Sequence, residues 1–260
     1  MAYQHLQLAI DGRLAVVRLH RPAQRNALAN ALMRELITVA RELGDRADVD
    51  AAILTGSDSY FSAGADLKDA SSWDDPDLSI AEQREMASLG YRMCKAWEEM
   101  PQITIAAIEG YAIGGGFALT LALDWRVAAV GSFVALPEIS LGIPLTWGTI
   151  PRLVNLLGPA RAKRMTILCE RFSAKEALDW GVLDYLAPKG RVLARATELA
   201  QQALAMPGIA VRMSKESVNA AATALNHAAG YMAHDQRVLM AGSKEAKAAR
   251  AKALPKAKKS

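Results

Sequence analysis

The chain has 260 residues and a mass of 27.9 kDa, with 52% hydrophobic and 22% charged residues. A chain of this size buries roughly 70–75% of its unfolded surface, and its composition excludes a disordered, collagenous or disulfide-scaffold protein. The net charge of +4 is unevenly placed: Lys244–Ser260 holds seven basic residues against one acid, a net +6, which leaves −2 on the other 243 residues and so no body-wide basic surface for nucleic acid.

In chain order, Leu6–Ile10 and Leu14–Leu19 are apolar runs joined by Asp11-Gly12-Arg13, which predicts a β-hairpin. Asn26 or Asn30 is expected to cap a helix reaching Leu43, with Leu28, Leu32, Leu36, Val39 and Leu43 on one face. Ala51–Thr55 reads as a short buried strand, followed by a glycine loop over Phe61–Lys68 and an irregular, aperiodic segment over Asp69–Leu78. A helix is predicted from Ile80 to Glu99, then a buried strand over Ile103–Ile108, the turn Gly114-Gly115-Gly116, and an apolar helix to Leu123. Strands are predicted over Trp125–Val130 and Phe133–Ala135. Beyond Thr149 the pattern is helical over 149–157, 159–168, 174–180, 190–205 and 207–251, interrupted by one strand near Leu183–Leu186. Mixed strands and helices followed by helices predict an α/β fold with a C-terminal helical part. The basic end after Gly242 reads as a solvated, fraying helix.

Cys94 and Cys169 are far apart and have no metal or redox spacing, which suits a reducing compartment. The four histidines form no metal-binding spacing, and no metal is expected. The first seventeen residues lack a basic region followed by an apolar one, and the apolar stretch Tyr111–Leu123 is too short to span a bilayer; the expectation is a cytoplasmic protein without a membrane span.

The chemistry is expected at two glycine loops, Phe61–Lys68 and Glu109–Gly116, each leaving a buried strand. Glycine lets backbone approach a ligand, and helix starts leave N–H groups free. Neither loop matches G-x-G-x-x-G or a P-loop.

Taken together, RPAQRNAL (21–28), FSAGADLK (61–68), IEGYAIGGGFALTLALDWRVA (108–128), LPEISLGI (136–143) and FSAKEALDWGVLDYLAP (172–188) resemble the crotonase (enoyl-CoA hydratase/isomerase) superfamily across residues 5–240. The resemblance implies a crotonase-like spiral of ββα units over 1–190, a C-terminal helical trimerisation region over 191–243, and a flexible basic tail over 244–260. It also implies an acyl-CoA thioester substrate, with coenzyme A entering only as part of that substrate, and assembly as a homotrimer or a dimer of trimers. By motif position, the backbone N–H groups of Ala65 and Gly115 would form an oxyanion hole beside Gly114. Arg25 and Ala63 would meet the CoA adenine through their carbonyls, and Lys68 the phosphates. Asp66 matches the motif aspartate and is expected as a helix cap. Trp147 would line the pocket. Glu138 matches a family glutamate, and burial among Val134, Leu136, Ile139 and Leu141 should raise its pKa.

The hydratases' second glutamate position is Ala118 here. Adding water is naturally shared between two carboxylates, whereas moving a double bond from the 3,4 to the 2,3 position needs one base. The sequence therefore favours a 3,2-enoyl-CoA isomerase, with 2-enoyl-CoA hydration as the alternative, in fatty acid or aromatic acid degradation. A non-catalytic binding protein acting through the basic tail is the lesser alternative, since that tail has no aromatic residue for base stacking.

Overall fold

The computed structural model describes residues 3–69, 77–230 and 232–253. The predicted hairpin is present as β1 (Leu6–Asp11) and β2 (Leu14–Leu19), paired antiparallel, with Gly12 at φ +55 in the turn. The run AAILT forms β3 (Ala51–Thr55) and ITIAAI forms β4 (Ile103–Ile108), and every residue of both is buried. Uninterrupted apolar runs of this kind belong to strands covered on both faces. With β6 (Trp125–Ala129) and β9 (Tyr185–Ala187) they build a six-stranded sheet in the order β1-β2-β3-β4-β6-β9, parallel from β2 onward.

The two faces of this sheet are covered differently. Ala52 and Leu54 point toward α1 (Asn30–Gly44) and α2 (Ile80–Glu98), whose Leu32, Leu36, Met93 and Trp97 are fully buried there. Trp97 donates its indole N–H to the Leu36 carbonyl at 3.1 Å, which joins the two helices. Ala51 and Ile53 face the other way, against Val192, Ala196 and Leu199 of α6 (Val192–Leu204). Each such large side chain contributes about 1.5–3 kcal/mol by leaving water.

A second, three-stranded sheet carries the turns of interest: β5 (Tyr111–Ile113), β7 (Phe133–Ala135) and β8 (Arg171–Ser173) in the order β5-β7-β8. Both β5 and β8 were absent from the sequence expectation, whereas the equally short β7 was placed at its observed bounds. The glycine turn runs into α3 (Gly115–Thr120), which stops short of the predicted Leu123. Helix α4 (Thr149–Ile167) joins the two predicted helices across a break at Gly158; α5 (Ala174–Asp179) follows β8.

The predicted helix over 207–251 is four pieces: α7 (Gly208–Thr223), α8 (Asn226–Gly230), α9 (Ala233–Ala241) and α10 (Lys244–Ala253). Glycines end α8 and follow α9, and the Ser243 hydroxyl accepts the Ala246 N–H at 3.1 Å to begin the last piece. The tail read as a flexible extension thus starts as a docked helix: Ala246 is fully buried, and a Cβ at Gly142 would stand 2.6 Å from its Cα. The residues 254–260, with three of the tail's lysines, lie outside the described residues, as do 70–76 of the irregular segment.

Helix α7 is tied to the main sheet by Lys215, 7% exposed, which donates to the Gln102 carbonyl and to Asp124 Oδ2, both at 2.7 Å. Asp124 also accepts from the Thr104 N–H and hydroxyl. No helix among the described residues is long and apolar enough to cross a membrane.

Candidate active site

Three stretches remote in sequence are laced together by backbone hydrogen bonds. Ser62 pairs with Ala112 in a parallel bridge, and Ile113 N–H donates to the Ser62 carbonyl at 3.1 Å. Three residues on, the two loops still meet: a Cβ at Gly64 would stand 3.6 Å from the Gly115 nitrogen, and Ala65 and Gly115 line one cleft. Leu28 N–H donates to Gly64 O and Asp66 N–H to Leu28 O, so the segment before α1 flanks the first loop. Gly114 N–H donates to Ala135 O, which ties the second loop to β7.

Two glycines are required by this weave. At Gly64 φ is +97 and a Cβ would stand 2.8 Å from the Ile113 carbonyl oxygen; at Gly114 φ is +52 and a Cβ would stand 2.7 Å from Glu138 Oε1. A side chain at either position is strained, and at Gly64 it also collides with backbone, while at Gly114 it displaces the Glu138 carboxyl. Among the described residues, the N–H groups of Ala65 and Gly115 donate to no acceptor. Gly115 is the first residue of α3, where an N–H has no partner within the helix. Two adjacent donors left free in a cleft are what an accumulating negative charge on oxygen requires.

Asn26, 1% exposed with φ +54, braces the first loop and is not a helix cap. Its side-chain oxygen accepts the Arg21 N–H at 2.9 Å and its amide donates to Phe61 O at 3.1 Å. Ser62 Oγ donates to Asn26 O at 2.8 Å and accepts the Gly64 N–H at 3.1 Å. Helix α1 starts at Asn30, whose N–H is taken by Asp69 Oδ2 at 2.9 Å; the cap comes from outside the helix. Asp66 is likewise not a helix cap, because no helix follows it directly: Oδ1 closes a turn on Lys68 N–H at 3.1 Å and Oδ2 takes the Arg21 guanidinium at 3.0 Å.

Glu138 opens a single 3-10 turn, Glu138–Leu141, directly after β7. The residue is half-buried as a whole, but its Oε2 is sealed from solvent and accepts no hydrogen bond among the described residues. Burial raises its pKa to about 7, against a small opposing pull from its own backbone N–H. Of the residues expected around it, Val134 and Leu136 are fully buried while Ile139 is 44% exposed, and the carboxyl lies close to Gly114. The carboxyl therefore sits one residue from the free Gly115 N–H.

The cleft between these groups is lined by Ala65, Asp66, Gly115, Ala118, Glu138 and Trp147, with apolar walls from Leu28, Met33, Met86 and Leu145. Ala118 is in the wall, so its methyl stands where a second carboxyl could have faced the cleft. Trp147 lines the cleft as expected. Arg25 and Ala63 come together, Ala63 N–H donating to the Arg25 carbonyl at 3.0 Å; Lys68 is exposed at the surface. Gly90 and Met86 on α2 also line the cleft, as does Arg237 on α9. Arg237 was not anticipated, because the sequence around it carries only helical periodicity, which does not tell which face meets a site. Helix α9 is anchored to α2 by Arg84 and Asp235 at 2.7 Å, and burial near Arg250 pushes the Arg237 pKa down to about 10.

The arrangement offers one carboxyl able to exchange protons near neutral pH and two backbone donors for an oxyanion. The sequence matches the family model for enoyl-CoA hydratase/isomerase over residues 9–254. It is 33% identical over 220 residues to a protein of Syntrophomonas wolfei named crotonyl-CoA hydratase, covering 84% of this chain and 83% of that one. It is 30% identical over 220 residues to a short-chain-enoyl-CoA hydratase of Clostridium acetobutylicum, covering 84% and 82%. Among solved structures, an enoyl-CoA hydratase from Bacillus anthracis superposes with a TM-score of 0.79 at 31% identity, over 91% of this chain and 90% of the other.

Proposed function

The chain belongs to the enoyl-CoA hydratase/isomerase family, and from that premise we propose that it acts on enoyl-CoA thioesters through Glu138 as single acid and base, with the N–H groups of Ala65 and Gly115 as oxyanion hole. The observation that carries this reading is the Glu138 carboxyl, raised to about 7 by burial and resting on Gly114 beside the free Gly115 donor. Proton transfer at carbon 2 of a thioester places negative charge on its carbonyl oxygen. Two fixed N–H donors meet that charge without reorganising, and removing one such donor typically costs about 3–4 kcal/mol. The chemistry uses no metal or redox group, and coenzyme A enters with the substrate.

The names of the relatives favour addition of water over the isomerisation that the sequence ranked first. One carboxyl can carry out hydration. Its neutral O–H gives a proton to carbon 2 while its other oxygen takes a proton from the water whose oxygen bonds to carbon 3. The carboxyl ends as it began, and the water is consumed. Among the described residues Oε2 accepts no hydrogen bond, which leaves it the acceptor capacity that this step needs.

Ala118 favours the second reading, isomerisation. There the Glu138 carboxylate removes a proton from carbon 2 of a 3-enoyl thioester and returns it to carbon 4. In either case the Ala63 and Arg25 carbonyls would face the adenine end of CoA, Lys68 its phosphates, and Asp66 and Gly114 would shape the edge of the site. Assembly as a homotrimer or a pair of trimers completes the proposal. It is supported by the outward apolar side chains of α7, where Ile209, Met213 and Val218 are 71%, 60% and 65% exposed.

A panel of 2- and 3-enoyl-CoA esters tests the function by the absorbance of the conjugated thioester. Its loss from a 2-enoyl ester is the outcome expected of hydration, and its appearance from a 3-enoyl ester that of isomerisation. Neither change with any ester contradicts the proposal.

A further inference from the structure

Trp147 has φ +62 and is followed by Gly148 at φ +71. The turn is closed by Thr149, whose N–H and hydroxyl both donate to the Thr146 carbonyl, at 3.1 and 2.7 Å. A tryptophan in the left-handed region is strongly disfavoured and persists only where its surroundings fix it. The fixing group is Arg152 in the first turn of α4, 6% exposed. Its Nη1 donates to the Trp147 carbonyl at 2.8 Å. Its Nε and Nη2 grip both oxygens of Glu98, the last residue of α2, at 2.7 Å each. A Cβ at Gly148 would stand 2.8 Å from Nη1, so glycine there leaves the guanidinium its path.

The indole so held is wedged between two glycines. A Cβ at Gly90 would stand 1.9 Å from its Cε2, and a Cβ at Gly115 would stand 2.3 Å from its Cζ3. One end of the ring system therefore presses on α2 and the other on the residue that carries the second oxyanion donor.

We propose that the Glu98–Arg152 pair is a positioning device for the oxyanion hole: by gripping the Trp147 carbonyl it sets the indole as a plate against Gly115 and so fixes the direction of the Gly115 N–H. The inference rests on the reading that this N–H polarises the thioester carbonyl. A preorganised donor stabilises developing charge without moving at the moment of reaction, so a loosened plate loses turnover before it loses substrate binding. Lysine cannot replace the arginine, because the grip on Glu98 and the reach to Trp147 use three separate donors of one planar fork.

The test binds 4-(dimethylamino)cinnamoyl-CoA, whose absorption moves to longer wavelength when donors polarise its carbonyl, to the full-length wild type and to Arg152→Lys. The expected result is a clear shift in the wild type and the loss of about half of it or more in Arg152→Lys, with affinity for the probe little changed and kcat on the best enoyl-CoA down about tenfold to a hundredfold. An undiminished shift in folded Arg152→Lys overturns the inference and leaves the oxyanion reading standing. No shift in the wild type overturns that reading and the inference with it. If Arg152→Lys does not fold, Gly90→Ala serves: it leaves the ion pair intact but puts a methyl group against the indole. The same loss is expected there, and a full shift overturns the inference.

Discussion

A carboxyl group with a pKa near 7 has a sign attached to each of its effects. In Glu138 the rise comes from burial, so the folded chain holds the proton more tightly than the unfolded chain. The stability Glu138 contributes is complete below pH 4.5 and is lost as the pH climbs through about 7. Glu138→Gln should therefore melt with the wild type near pH 4 and above it at pH 8, by up to about 3 kcal/mol in unfolding free energy. The two readings of the activity part at the same pH. Hydration through the neutral carboxyl predicts that kcat/KM falls as pH rises through about 7; isomerisation through the carboxylate predicts that it rises. That Glu138 belongs to the cleft was legible in the sequence, because Pro137-Glu138 falls inside a recognisable block. The cause of its burial was not. Neighbours along a chain do not say which way a side chain turns, and the carboxyl comes to lie close to Gly114, twenty-four positions earlier.

Among the elements, long apolar runs were read correctly because burial on both faces leaves the same mark anywhere in a chain. Thus β3 and β4 were placed within a residue, and the hairpin of β1 and β2 was marked by its Asp-Gly turn. The short β5 and β8 went unread while the equally short β7 was placed, and the run 207–251 is broken at Ala224-Leu225 as well as at Gly230 and Gly242. Two expected caps failed because no helix starts beside them: Asn26 Oδ1 takes the Arg21 N–H, and Asp66 closes a turn on Lys68 and pairs with the Arg21 guanidinium. Helix α2 has a local cap that can be tested. Ser79 accepts the Glu82 N–H at 3.3 Å while Glu82 accepts the Ser79 N–H at 2.9 Å, a reciprocal capping box. Ser79→Ala should cost about 1 kcal/mol in denaturant unfolding. Because α2 carries Met86 and Gly90 into the cleft, its loss should raise KM for the acyl thioester more than it lowers kcat.

Over the whole molecule, the cleft exists because the Ser62–Ala112 bridge and the close approach at Gly64 bring the first glycine loop against the second, with Glu138 lying on Gly114. No single segment contains it, and the C-terminal helices that close around it gave no sign of doing so in sequence. The basic end, conspicuous in composition, enters the fold through one buried alanine. If the proposed assembly holds, sedimentation will give the mass of three or six chains, and a mass of one chain would contradict it. The proposal makes one carboxyl answer for every proton transferred, and Glu138→Gln tests this most directly. The amide keeps the shape and removes the exchangeable acid proton. Turnover of the best 2- or 3-enoyl-CoA ester should fall by about a thousandfold or more while the ester still binds. Turnover within a fewfold of wild type would contradict the assignment of Glu138.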